Sequence, residues 1–73
     1  MQVFIRYNTT LTFEFNPTDT IANVKDIYYQ RTGIQSNHII LSHNGKYLYD
    51  LDPISKYNIT DNSTIHMNIK MPL

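Results

Sequence analysis

The side chains best equipped for chemistry in this chain are its three histidines, His38, His43 and His66, and its serines. Imidazoles ligate zinc or move protons, but the histidine spacing matches no zinc signature, and there is no cysteine to complete one. Turn and strand positions account for all three. Serine catalysis needs a base beside the hydroxyl, a group orienting that base and a cleft that excludes water, and the sequence assembles no such set. It implies no enzymatic activity and no cofactor. Tyr47 and Tyr49 beside Lys46 could stack on bases, yet Asp50 and Asp52 follow directly.

Six Lys plus Arg balance six Asp plus Glu, so no long-range field draws the chain to nucleic acid or to an anionic membrane. Partner choice then rests on local surface, and the expected partners are proteins. No apolar run approaches the ~20 residues that cross a bilayer. Met1-Gln2-Val3 leads straight into a strand pattern and not into a signal peptide, which with the lack of cysteine suits the cytoplasm or the nucleus. The glycosylation-like triplets at Asn8, Asn58 and Asn62 then read as chance matches in an Asn- and Thr-rich chain.

The elements that must position any working surface follow from periodicity. The 73 residues suffice for one domain, 1–73, with one helix laid on one sheet. Val3 and Ile5 alternate with Gln2, Phe4 and Arg6; after the turn-forming Tyr7-Asn8-Thr9-Thr10, Leu11, Phe13 and Phe15 alternate with Thr12 and Glu14. This predicts a β-hairpin, halted at Pro17. Asp19 or Thr20 can cap the helix that follows, whose stripe is Ile21, Val24, Ile27, Tyr28 and Arg31 and whose terminator is Gly33. Such a helix provides the crossover to a strand parallel to the first.

Ile34 to Asn37 reads as a loop. Ile39 and Leu41 share one face of the next strand, with Ile40 and Ser42 on the other. Asn44-Gly45 is a hairpin turn pair, followed by a brief arm over Lys46-Tyr47-Leu48-Tyr49. Asp50 to Pro53 turns again, Ile54 to Ile59 predicts a one-turn helix, and Ile65, Met67, Ile69 and Met71 alternate with His66, Asn68 and Lys70 in the last strand.

Read in this order, Met1-Gln2-Val3-Phe4-Ile5, Pro17-Thr18-Asp19-Thr20-Ile21 with Asn23-Val24-Lys25, Gly33-Ile34, Gly45-Lys46, Ser55 with Tyr57-Asn58-Ile59, and Ser63-Thr64-Ile65-His66 resemble ubiquitin over the whole length. The first hairpin loop is shorter, and every later island keeps that single offset. The resemblance implies an α+β, ubiquitin-like β-grasp fold: a mixed sheet of four to five strands with one helix packed across it and the last strand parallel to the first. The expected core is Val3, Ile5, Leu11, Phe13, Phe15, Val24, Ile39, Leu41, Leu48, Ile54, Ile59, Ile65, Met67 and Ile69. Tyr28 stands where ubiquitin has an aliphatic residue, so its hydroxyl must reach solvent or a partner.

Ubiquitin acts through a C-terminal diglycine joined to lysines and through an aliphatic receptor patch. The sequence ends on Pro72-Leu73, which offers neither the flexibility nor the slimness of diglycine. The patch leucine falls in the shortened loop; Ser42 matches the patch isoleucine and Asn68 the patch valine, with only His66 kept. Two other surfaces are better preserved. Gln2, Phe4, Thr10 and Thr12 match a patch on the outer face of the hairpin, where alternation places the Phe4 ring in water, and Ile34 with Ile69 and Met71 matches an apolar patch near the tail. Ile40, where ubiquitin is basic, could add apolar area. Of the lysines that ubiquitin uses for chains only Lys25 and Lys46 are matched, so these are the possible modification positions, and Lys25 is expected to sit beside Asp50.

The expected role is a non-conjugating, monomeric ubiquitin-like protein or domain that binds proteins noncovalently, whether ubiquitin-pathway enzymes or a larger assembly. The alternatives are a truncated form of a covalently conjugated modifier, or a decoy that occupies ubiquitin-pathway enzymes.

Overall fold

The computed structural model describes residues 1–70. The chain runs β1 (Gln2–Arg6), β2 (Thr10–Glu14), α1 (Ile21–Thr32), a 3-10 turn at Ser36–His38, β3 (Ile39–His43), β4 (Lys46–Tyr47), a second 3-10 turn at Ile54–Tyr57, and β5 (Ser63–Ile69). The five strands form one mixed sheet in the order β2-β1-β5-β3-β4. β1 and β5 are parallel, with Ile5 opposite Ile65, while the remaining neighbours are antiparallel. This is the β-grasp arrangement expected from the resemblance.

Alternation does the sorting. Val3, Ile5, Phe13, Ile39, Leu41, Ile65 and Met67 turn to one face and are buried there with Ile21, Val24 and Tyr28 of the helix. Phe13 and Phe15 stack at 5.6 Å, and Tyr28 lies 5.7 Å from Phe13 at a tilt. Burial raises the Tyr28 phenol's pKa, with the nearby Tyr7 adding to the shift. Leu11 and Ile69, expected in the core, are only half-buried at its margin, whereas Ile21 and Tyr28 are fully within it. Leu11 and Ile69 sit next to strand ends, where fewer neighbours remain to cover them.

The helix ends are made by side chains that suit them. Thr20 is the N-cap, its Oγ1 accepting from the Asn23 amide at 3.2 Å. Asp19 is engaged one turn earlier, accepting from the Asn16 amide at 2.8 Å. Gly33 adopts φ 79° and donates to the Tyr29 carbonyl, the left-handed termination that disfavours a side chain.

Two expected boundaries shift. The stretch over Ile34 to Asn37 is not all loop, because Ser36 already belongs to a 3-10 turn. The arm expected over Lys46 to Tyr49 is a strand only at Lys46–Tyr47. Leu48 still donates to the Leu41 carbonyl at 2.9 Å, but the Tyr49 amide turns away from β3 to the Tyr57 hydroxyl at 3.0 Å, which ends the ladder. The turn before β4 has φ 52° at Asn44 and 79° at Gly45, the paired positive values of a two-residue hairpin turn.

Candidate protein-binding surfaces

The outer face of the sheet is assembled by register. Arg6 is opposite Thr10 on one side and His66 on the other; His66 is opposite Ser42, and Ser42 opposite Tyr47. A polar row, Thr10-Arg6-His66-Ser42-Tyr47, therefore crosses all five strands. Asn68 is opposite Ile40 in the adjoining row. Ser42, His66 and Asn68 thus come together as the resemblance implies, and present a hydroxyl, an imidazole and an amide.

Phe4 does not stand in water as expected. It is half-buried, because its cross-strand neighbours on the same face, Thr12 and Thr64, flank it from both sides of β1. Thr12 is exposed, while Gln2 is half-buried and commits its Nε2 to Asn62 Oδ1 at 3.1 Å. Its backbone N–H donates to Asp61 Oδ1 at 2.7 Å, so Gln2 fastens the loop before β5 to β1. Ile34 is half-buried and packs against the core. Met71 lies outside the described residues.

The two matched lysines differ. Lys46 is exposed on β4, just past the Asn44-Gly45 turn. Lys25 is 13% exposed, and its Nζ lies 2.6 Å from Asp50 Oδ1, the acid expected beside it. Its amine is held in an ion pair, whereas that of Lys46 is displayed.

A feature that sequence reasoning missed lies at the β3-β4 end of the sheet. Tyr47 and Tyr49 are 64% and 67% exposed. With Ile40 they line an open groove of about 490 Å³ that also includes Lys25, Asp50 and Lys70. The signal was in the alternation: Leu48 points inward, so its two tyrosine neighbours must point out. Beyond Tyr49, the Tyr57 hydroxyl donates to Asp52 Oδ2 at 2.6 Å, and Lys56 adds a contact at 3.1 Å. The Tyr57 and Lys56 hydrogen bonds hold the Asp52 carboxyl below its ordinary pKa, while burial, then the bond to Asp52, raise the Tyr57 phenol's.

Among the described residues no three His, Cys, Asp or Glu side chains converge to hold a metal ion. His43 instead places Nδ1 at 3.0 Å from the Thr64 carbonyl, bracing β3 against β5. No described helix is long and apolar enough to cross a membrane. The geometry offers surfaces for contact: an open groove and a polar sheet face. The family model described as the ubiquitin family matches residues 3–72, spanning the hairpin, the helix and the closing strand described above, and the chain belongs to the ubiquitin family.

Proposed function

We propose that this ubiquitin-family chain works in the cytoplasm or nucleus by binding other proteins noncovalently, without itself being conjugated. The observation that carries the reading is the outer face around Ser42, His66 and Asn68, brought together by the β3-β5 register. A receptor shaped for an aliphatic patch meets polar groups there, and burying an unpaired hydroxyl or amide costs about 1–3 kcal/mol. Apolar area adjoins these polar groups, at Ile40 opposite Asn68, Tyr47 opposite Ser42, and Tyr49.

The test uses the whole encoded protein, including whatever follows Leu73. Incubation with a ubiquitin-activating enzyme and ATP should give no thioester on a non-reducing gel; a thioester, or a Gly-Gly encoded next, overturns the non-conjugating reading in favour of a covalent modifier. Capture of partners from lysate by the native protein is then compared with Phe4→Ala and Ile34→Ala. Equal recovery of every partner removes both of those surfaces. Recovery chiefly of activating or conjugating enzymes identifies a decoy.

A further inference from the structure

We infer that the groove beside β4 receives an extended peptide segment of a partner protein, one carrying an acidic and an apolar residue on one side and a basic residue on the other. This rests on the noncovalent-binding reading and specifies where the contact is made and with what.

Two depressions make one track. The larger, about 490 Å³, is lined by Ile40, Tyr47, Tyr49 and Lys70; the smaller, about 140 Å³, by Ala22 and Asp26. They share Lys25, Ser36, Asn37 and Asp50, so the second continues the first. The larger volume falls within the ~300–1,000 Å³ of pockets that hold ligands.

The charges select the occupant. Lys25 and Asp50 neutralise each other in the middle of the track at 2.6 Å. Lys70, on the wall of the larger depression, has no acidic partner among the described residues, and Asp26, on the wall of the smaller, has no basic one. The larger depression therefore carries an unpaired positive charge and the smaller an unpaired negative one. In the larger, beside Lys70, Ile40 with Tyr47 and Tyr49 gives apolar area, and the aromatic rings do so at low entropy cost because they have few rotamers. Ser36 and Asn37 supply polar side chains that can bond a peptide backbone. An acid set against Lys70, an aliphatic side chain against Ile40 and the tyrosines, and a base set against Asp26 satisfy each part of the track.

The experiment is NMR titration of the isotope-labelled protein with capped synthetic peptides, each with a Glu and a Leu, in either order, on one side of a Lys and synthesised in both chain directions, the intervening Gly/Ser spacers running from none to three residues. At least one spacing should shift the amides of Asn37, Ile40, Tyr49 and Lys70. Lys70→Glu should weaken that peptide by about threefold to tenfold. Exchanging the peptide's Glu for Lys should restore the loss in the Lys70→Glu protein, while Asp26→Lys should weaken the original peptide to a similar degree. Both positions are exposed, so the variants keep the native amide dispersion. The inference is overturned if no spacing moves these amides, if the shifts map to the Phe4 face, or if reversal of Lys70 and Asp26 leaves every affinity unchanged. A lysate partner that maps to the Phe4 face would leave the noncovalent-binding reading standing and remove this one.

Discussion

The Tyr57 hydroxyl accepts from the Tyr49 amide at 3.0 Å and donates to the Asp52 carboxylate at 2.6 Å, so one phenol closes the chain between β4 and the second 3-10 turn. Tyr57→Phe leaves the Tyr49 amide without this acceptor and Asp52 with Lys56 as its remaining partner. The expected result is a lower urea midpoint with an unchanged slope, and faster hydrogen exchange at Tyr49. The pH dependence has a definite sign. The Asp52 pKa is lowered, by the Tyr57 and then the Lys56 hydrogen bonds, so its contribution is complete above the ordinary value of 3.8 and fades as pH falls through the depressed one. The Tyr57 pKa is raised above 10.0, so its contribution is complete below that and fades as pH climbs through the raised value. Tyr57→Phe should therefore flatten stability loss at both extremes, and parallel pH profiles for native and variant protein would rule the linkage out.

Arg31 guards an edge. β2 ends the sheet, and Arg31 donates to the Thr12 carbonyl at 2.6 Å while its guanidinium lies 4.8 Å from the Phe13 ring centre. Edge carbonyls left open invite pairing with another chain. Arg31→Ala should cost about 1–2 kcal/mol, from a charge-assisted hydrogen bond and a cation–π contact. It should also raise self-association in sedimentation as concentration increases; a variant that is both as stable and as monomeric as the native protein would deny the guard role.

Much of this architecture was legible because burial follows alternation. Val3, Ile5, Ile65 and Met67 could be placed from period alone, and Gly33 from the left-handed φ that helix termination favours. What escaped depends on contacts distant in sequence. The strand at β4 stops at Tyr47 because the Tyr49 amide finds Tyr57, a pairing no local pattern announces. Phe4 is half-buried because Thr12 and Thr64 arrive from two different strands. The aromatic groove needs Ile40, Tyr49 and Lys70 from three parts of the chain, so its tyrosines were legible as exposed side chains but not as a shared wall.

The two faces of β5 should respond oppositely to substitution. Ile65 is fully buried opposite Ile5, so Ile65→Ala should cost roughly 2–5 kcal/mol, a large part of the ~5–15 kcal/mol that stabilises a domain. Asn68 is exposed on the other face, and Asn68→Ala should stay within about 0.5 kcal/mol. Paired urea denaturation curves check this, and a comparable loss at both positions would mean that the outer face carries structural contacts of its own.

Receptor recognition tests the altered sheet face directly. A small helical ubiquitin-binding domain titrated against the native protein should leave the amides of Ser42 and Asn68 unmoved, because their polar side chains cannot replace the aliphatic contacts such a receptor buries. Ser42→Ile with Asn68→Val restores two apolar side chains in adjoining rows of the β3-β5 ladder, on either side of His66. Each buried aliphatic side chain contributes about 1.5–3 kcal/mol, so the double variant should bind where the native protein does not, short of full ubiquitin-like affinity because the hairpin loop remains shortened. Shifts of normal size at Ser42 and Asn68 in the native protein would show that the polar face still serves such receptors. Failure of the double variant to gain any binding would instead locate the lost recognition in the shortened loop.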